Sequence, residues 1–400
     1  MPLPSSSLSW LDHDASEQER MRRLLGLFEE QGTVDELGIG TIRDSIADQL
    51  FPGTSTIQTR LRYFLFVPWF YRQLEEKRTR PDRVRTKARK LQYQVRCALL
   101  EGGESEGVIG KNAGPDLIRT PDEIYWGGLL AWGIRRYPGS IAKYQEGLDR
   151  ILHWRTSRLV TDDGEPLRDP RGETWHPDLP EPPADWLEET TFSLTREEAD
   201  FLQERIRLSH SDSLLGILAR EPAKGEYEAP WMHPAFPTLP ETTQRLLSHA
   251  HRFSDTMYGA ALLYNLMLAR AISREEKIQT HEEAFAEWIE EVDSARLRAW
   301  DLAEFWMLVA GHGHRITLPT RSFVERWVEF VASDKHDLDR PAVHRLIEHR
   351  EKQLKGPRAM LQNRRALEQW SGSSGLNRLT YRWKEAQRYL NELAEGLGSG

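Results

Sequence analysis

The chain has 400 residues, a formal net charge of −8 and a sequence pI near 6.0. This length suits one large or two modest domains with a sizeable core. A single cysteine, Cys97, excludes an internal disulfide and fits a reducing compartment. We see no signal peptide and no apolar run of membrane-spanning length, and we therefore expect a cytoplasmic protein.

The first clear periodicity lies near the start of the chain. Ile42, Ile46 and Leu50 recur every four residues, which predicts a helix over residues 41–50. Pro52 and the glycine after it end this helix, because proline cannot continue it and glycine accepts a turn.

A hydroxyl cluster follows the turn and is typical of a helix start. One of Thr54, Ser55 and Thr56 is expected to cap a second helix. The run Tyr63–Phe70 in that helix is apolar almost all round, so we expect it to be buried centrally. Pro68 either kinks this helix or begins the next one.

Three interpretations of the polar residues in this region stay open. In the first, the hydroxyls cap helices, and two aspartates pair with nearby arginines. In the second, the helix start binds a phosphate, because free backbone N–H groups and the helix dipole favour an anion there. The candidate anion-binding residues are Thr54, Ser55, Thr56, Gln58 and Arg60. In the third, an unfamiliar enzyme site lies near Asp44, Asp48 and Arg60.

Two stretches are basic although the chain as a whole is acidic. Such blocks either follow a nucleic-acid backbone or face an acidic partner. The alternative is a solvated helix face whose charge is balanced by acids elsewhere. The candidate nucleic-acid-binding residues are Arg78, Arg83, Arg85, Lys87, Arg89, Lys90, Arg345, Arg350, Lys355, Arg358, Arg364 and Arg365.

Motifs for cofactor or metal chemistry are missing. Around Lys111, Ser105 stands where a phosphate loop needs glycine, and Asn112 stands where it needs serine or threonine. Two His-x-His pairs, at residues 249–251 and 312–314, lack a third ligand in any recognisable pattern. We therefore predict neither a cofactor nor a metal.

Helical signals continue through the rest of the chain. Thr120 with Glu123 and Thr195 with Glu198 are capping boxes, which mark two helix starts. The 14 tryptophans are more than usual and suit helix-packing cores and partner surfaces alike. We therefore predict an all-α fold with little or no sheet.

One segment breaks the helical pattern. Residues 161–191 are rich in proline and acidic side chains and have no periodicity, which predicts a surface linker held by Trp175 and Trp186. The predicted organisation is an N-terminal helical domain over residues 1–160, this linker, and a C-terminal helical domain with a basic tail over residues 192–400.

Eight motifs are distributed along the chain: SLSWLD, DELGIG, RDSIADQLFPGTSTIQTR, RYFLFVPW, GVIGKNAG, IYWGGLLAWGIRR, GAALLYNLMLA and LTYRWKEA. Together they resemble a bacterial family of helical proteins that has no established activity and no assigned catalytic residues. Members of that family are associated with helicase and phospholipase-D-like nuclease genes in phage-defence neighbourhoods. The resemblance implies a non-catalytic adaptor that contacts a helicase or nuclease, with DNA as a further ligand. A stand-alone DNA-binding protein and an enzyme are the alternatives.

Overall fold

The computed structural model describes residues 35–112, 117–156, 172–311, 313–333 and 340–398, and the backbone of one short strand pair. Sixteen α-helices form the regular structure of these residues, so the predicted all-α fold is confirmed. Strands β1 (Leu159–Val160) and β2 (Pro166–Leu167) form an antiparallel pair, the only sheet in the described ranges. None of the helices in these ranges has the length and hydropathy to cross a bilayer.

The helices of the first half of the chain are α1 (Gly40–Leu50), α2 (Tyr63–Glu76), α3 (Pro81–Glu101), α4 (Pro121–Ala131), α5 (Ile141–Glu146), α6 (Leu148–Thr156), α7 (Arg196–Ser209) and α8 (Leu214–Leu218). Those of the second half are α9 (Glu241–Ala271), α10 (Glu275–Glu291), α11 (Ser294–Arg298), α12 (Leu302–Ala310), α13 (Leu318–Ala332), α14 (Pro341–Lys355), α15 (Arg364–Leu367) and α16 (Trp383–Gly398). Short 3₁₀ turns occupy Pro230–Met232, Phe236–Thr238 and Gly356–Arg358.

The described residues fall into two compact units, each assembled from separate parts of the chain. The large unit contains residues 42–251, 308–314 and 380–398. The small unit contains residues 35–41, 252–307 and 315–379. This division differs from the predicted one, because the described part of residues 161–191 lies inside the large unit and does not separate two domains.

Buried side chains fix residues 172–191 within the large unit. Trp175 Nε1 donates to the carboxylate of Glu75 at 3.0 Å. Trp186 stacks on Phe66 with ring centroids 6.2 Å apart. Prolines keep this backbone irregular, but the two tryptophans bury enough surface to pack it against the helices.

Helix α2 lies at the centre of the large unit's core. Every residue from Tyr63 through Tyr71 is buried, as the apolar pattern predicts. Pro68 lies inside α2 and does not begin a new helix. Phe64 stacks on Trp132 with ring centroids 3.9 Å apart.

The chain between α1 and α2 corrects one prediction. Helix α1 agrees with the predicted range to within one residue, but no helix starts at Thr54. Gly53 has φ +81°, and a Cβ there would lie 2.4 Å from Nε1 of Trp132. Thr54 Oγ1 donates to the carbonyl oxygen of Phe51 at 2.6 Å. Such local bonds satisfy the backbone in turns and compete with a helix.

Helices α4 and α7 begin as predicted. Both capping boxes are present, at Thr120 and at Thr195. Helix α4 is shorter than its apolar pattern and ends at Ala131. A turn at residues 132–133 follows it, and Arg135 then forms an isolated β-bridge with Trp175.

In the small unit, the second half of α9 packs against aromatic rings. A Cβ on Gly259 would lie 2.1 Å from the ring of Trp288, so the absence of a side chain at this glycine lets a tryptophan of α10 approach closely. Asn265 donates through Nδ2 to the carbonyl oxygen of Ser374 at 2.7 Å and accepts from its backbone N–H at 2.8 Å. The polar side chain of the buried Asn265 thus has hydrogen-bond partners within the core.

Candidate nucleic-acid interface

Helix α3 carries the first basic stretch on the surface of the large unit. Pro81 occupies its first turn, where the missing N–H has no helical partner to lose. Val84, Ala88 and Val95 are buried at helical spacing, so the opposite side of the helix faces solvent. At about 1.5 Å per residue, this helix of 21 residues is about 30 Å long.

The solvent side of α3 presents two rows of cations. The first cation row consists of Arg83, Lys87 and Lys90. The second cation row consists of Arg85, Arg89 and Arg96. Successive members of each row lie three, four or seven residues apart, which aligns them along the helix. Between the two rows lies a central line formed by Thr86, Tyr93 and Cys97, all exposed.

The second cation row holds the neighbouring loop. Arg96 donates from Nε to the carbonyl oxygen of Gly110 and from Nη2 to that of Lys111, both at 2.9 Å. Arg89 donates from Nη2 to the carbonyl oxygen of Leu117 at 2.7 Å. Because a carbonyl is neutral, these bonds orient the guanidinium groups without cancelling their charge.

The first cation row has no counter-charge in the part of the chain that the structure describes. Arg83, Lys87 and Lys90 are exposed and form no ion pair there. Six cationic and two anionic side chains give α3 a formal charge of +4, on a chain whose total is −8. The positive charge is therefore concentrated on one helix face and is free to meet an anionic ligand.

Tyr93 is the aromatic side chain at the centre of this face. It is 42% exposed, and the guanidinium carbon of Arg96 lies 5.3 Å from its ring centroid, a cation–π contact. An aromatic ring between cations is the composition of surfaces that hold nucleic-acid strands. No sequence motif marks Tyr93, although its position between Lys90 and Arg96 was a usable signal.

The second predicted basic set lies in the small unit, on α14 and after it. Arg345, Arg358, Arg364 and Arg365 are exposed. Arg364 lies 3.5 Å from the carboxylate of Glu368, four residues later, in a surface pair worth little in water. These four remain candidates as predicted.

Arg350 and Lys355, from the same set, are internal groups of the small unit. Arg350 is 3% exposed, and burial lowers the pKa of its guanidinium. Lys355 forms ion pairs with the buried carboxylates of Glu36 and Glu351. Their charges are used inside the unit, so neither belongs to an exposed basic surface, which corrects the prediction at these two positions.

The anion site predicted around Thr54 has no helix start beneath it, because α2 begins only at Tyr63. Gln58 Oε1 accepts hydrogen bonds from a backbone N–H and a tyrosine hydroxyl, each at 3.1 Å. Arg60 pairs with Glu392, whose pKa is raised because burial outweighs the opposing charge of Arg60. The side chains of Gln58 and Arg60 are thus engaged by other protein groups, and no helix provides the free N–H groups that the anion hypothesis requires.

Asp48, from the enzyme hypothesis, is oriented by two distant side chains. Its Oδ1 lies 2.6 Å from Nη1 of Arg382, and its Oδ2 lies 2.9 Å from Nε2 of His314. Arg382 has φ +67° and the preceding Tyr381 has φ +56°, a left-handed conformation that residues other than glycine rarely adopt. Arg60 is not part of this group, which corrects that member of the hypothesis.

A cleft of about 480 Å³ opens beside Asp48 in the large unit. Its wall is formed by Gln49, residues 209–214, Thr243 and Leu308, among others. This mixture of hydroxyl, acidic and apolar groups, and the volume of the cleft, suit a small polar ligand.

Among the described residues, the histidines of the two His-x-His pairs do not form a metal site. His251 stacks on Trp231 with ring centroids 4.4 Å apart, and His249 is buried. His314 contacts Asp48, and residue 312 lies outside the described residues. Within the described ranges, no three His, Cys, Asp or Glu side chains are grouped as metal ligands.

The fold and these sites define a helical protein with one strongly cationic helix face and a separate small polar cleft. The chain belongs to the family of unknown function DUF6361, whose model matches residues 5–397. The resemblance to a family without established activity is thereby confirmed over nearly the whole chain. No curated protein and no solved structure matches the chain.

Proposed function

We propose that this chain is a non-catalytic helical adaptor that binds the phosphate backbone of a nucleic acid through α3. In this proposal it works in the bacterial cytoplasm, within an anti-phage defence system, beside a helicase or nuclease. The defence setting and the protein partner follow from the gene neighbourhoods that the family resemblance implies. The nucleic-acid contact follows from the geometry of α3.

The observation that supports nucleic-acid binding best is the unpaired first cation row. Phosphate groups that meet Arg83, Lys87 and Lys90 displace mobile counterions, and no internal ion pair has to break first. Because the chain as a whole is anionic, its overall field repels nucleic acid. Binding must therefore be local, and α3 is the element with the charge to supply it.

The first test reverses the charge of the first cation row. In the triple variant Arg83→Glu, Lys87→Glu, Lys90→Glu, fluorescence anisotropy with labelled oligonucleotides should show loss of most of the affinity. The plot of log affinity against log salt concentration has a negative slope, and this slope should become less steep by about 2 for a single strand. Each lost phosphate contact removes about 0.7 from its magnitude.

A matched control reverses the same number of charges elsewhere on the large unit. Lys143→Glu, Arg150→Glu, Arg207→Glu changes three exposed basic residues outside α3. The control should bind nearly as the wild type does, and both variants should keep the wild-type melting temperature. Equal losses in the two triple variants would mean that only net charge matters and would contradict a site on α3.

The single cysteine offers a second, direct test of location. Cys97 is exposed and lies four residues after Tyr93 on the same face. A bound oligonucleotide should slow alkylation of Cys97 by a neutral reagent, and high salt should restore the rate. An unchanged rate at a saturating oligonucleotide concentration would place the nucleic acid elsewhere.

The role as an adaptor is tested separately from nucleic-acid binding. Co-purification of a helicase or nuclease from the native host should survive treatment that degrades nucleic acid. Loss of the partner under that treatment, with binding of nucleic acid by the isolated chain, would favour the stand-alone DNA-binding protein.

One observation favours a second candidate, an enzyme or small-molecule site at Asp48. Arg382, held in a left-handed conformation, and His314 together fix both oxygens of this carboxylate beside the cleft. If this site carries the function, Asp48→Asn should abolish protection against phage while the melting temperature stays close to that of the wild type. Unchanged protection would remove this candidate.

A further inference from the structure

We propose that the α3 face binds single-stranded nucleic acid in preference to duplexes, with Tyr93 as the surface on which an unpaired base stacks. This inference rests on the proposed nucleic-acid binding by α3 and specifies its ligand. It depends on the position and exposure of one side chain that the phosphate-binding argument does not use.

The helix geometry places Tyr93 within reach of both cation rows. Arg89 and Lys90 precede it by four and three residues, and Arg96 follows it by three. Residues at these spacings are neighbours on a helix surface. A strand whose phosphates lie along either row therefore brings its bases over the central line of the face.

The ring of Tyr93 is both available and oriented. With 42% of its surface exposed, it is among the most exposed aromatic side chains in the described residues. The contact at 5.3 Å with Arg96 restricts its motion, because Arg96 is itself held by the carbonyl oxygens of Gly110 and Lys111. A ring ordered before binding loses less conformational freedom when a base stacks on it.

The composition of the central line favours a single strand over a duplex. Base pairs in a duplex present only their edges, and amide and guanidinium groups are the side chains that distinguish these edges by paired hydrogen bonds. Thr86, Tyr93 and Cys97 place no such group between the rows. An unpaired base exposes its flat face, and stacking on an aromatic ring does not depend on which base it is.

The test compares three probes: an oligothymidine of about 15 nucleotides, a strand of equal length with abasic sites throughout, and a duplex of the same length. All carry phosphates, but only the first offers unpaired bases. The full-length wild type should bind the oligothymidine most tightly. Tyr93→Leu should weaken that binding about tenfold and leave the other two affinities unchanged. Tyr93→Phe should retain the wild-type pattern, because it keeps the ring.

The outcomes separate the two proposals. If the triple charge reversal of the first cation row removes binding but Tyr93→Leu affects all three probes equally, the single-strand inference is overturned and the phosphate-binding proposal stands. Tighter binding of the duplex than of the oligothymidine overturns the inference in the same way. If the wild type binds none of the probes, or the charge reversal has no effect, both proposals fail. Circular dichroism melting should show unchanged stability for each Tyr93 variant, since this side chain is exposed.

Discussion

Nε of Arg350 lies 2.8 Å from the carbonyl oxygen of Leu37, a residue 313 positions earlier in the chain. Its Nη2 donates to the carbonyl oxygen of Gly38 at 2.9 Å and to the hydroxyl of Thr320 at 2.8 Å. One buried guanidinium thus joins the start of the described chain to α13 and α14 within the small unit.

Replacing this guanidinium should destabilise the protein. Arg350→Ala leaves the buried carbonyl group of Leu37 and the part-buried one of Gly38 without this donor, so we expect the free energy of unfolding to fall by about 3 kcal/mol. Arg345→Ala, at an exposed position on the same helix, should change it by less than about 0.5 kcal/mol. Urea denaturation of both variants measures the difference. Similar values for the two would mean that the contacts of Arg350 add nothing to stability.

The core position of α2 predicts a large cavity effect at Phe64. Its ring is fully buried against Trp132, so Phe64→Ala should lower the free energy of unfolding by about 3–5 kcal/mol. Tyr93→Ala also removes an aromatic ring, but at an exposed position. It should lower the free energy of unfolding by less than about 0.5 kcal/mol. A cost at Phe64 well under about 3 kcal/mol, the lower bound for truncating a core phenylalanine, would contradict a central role for α2.

Gly53 and Gly103 form a matched pair that separates backbone strain from close packing. Their φ angles are +81° and +82°, but a Cβ would contact Trp132 at Gly53 and would meet only open space at Gly103. An alanine at either position has the same φ penalty, of about 1–2 kcal/mol. Gly53→Ala should therefore lower the melting temperature clearly more than Gly103→Ala. Equal decreases would mean that the ring moves aside at no cost.

The buried His281 should make stability fall in mild acid. Burial lowers its pKa, with a further contribution from the charge of Lys277, while the bond from its Nε2 to the carbonyl oxygen of Gly372 opposes the shift. The unfolded chain, with a pKa of about 6.5 at this residue, then binds a proton more readily than the folded chain. Stability is therefore lost as pH falls through that value.

The matched measurement replaces one histidine at a time with glutamine. His281→Gln should flatten the decrease in the free energy of unfolding below about pH 6.5, because the titrating group is gone. His349→Gln, at an exposed position of the same unit, should leave the curve unchanged. If all three curves run parallel, His281 does not contribute to the acid sensitivity.

Much of the helical architecture could be predicted because its signals are local. The start of α4 at Pro121 and of α7 at Arg196 follows from capping residues within three positions. The burial of α2 follows from its own apolar run. Where local hydrogen bonds compete with a helix, as at Thr54, the same signals predicted a start that does not occur.

The candidate site was predictable in part for the same reason. The exposed cations of α3 lie on a helix whose buried face is marked by its own spacing, so their common surface could be inferred. For the basic set on α14, the sequence did not indicate which cations are exposed. Arg345 and Arg350 are the same residue type in the same basic stretch. Arg345 is exposed, whereas Arg350 is buried with 3% of its surface accessible.

By itself the sequence determined the helical fold, the caps, the central apolar run and the basic character of α3. Those properties arise from residues a few positions apart, whose interactions are the same in any surrounding. Only the tertiary structure decided that Arg350 is internal and that Asp48 is held by Arg382. Each of these contacts depends on which distant segment packs nearby. Sequence periodicity reports the buried face of a single helix or strand and does not identify the segment that covers it.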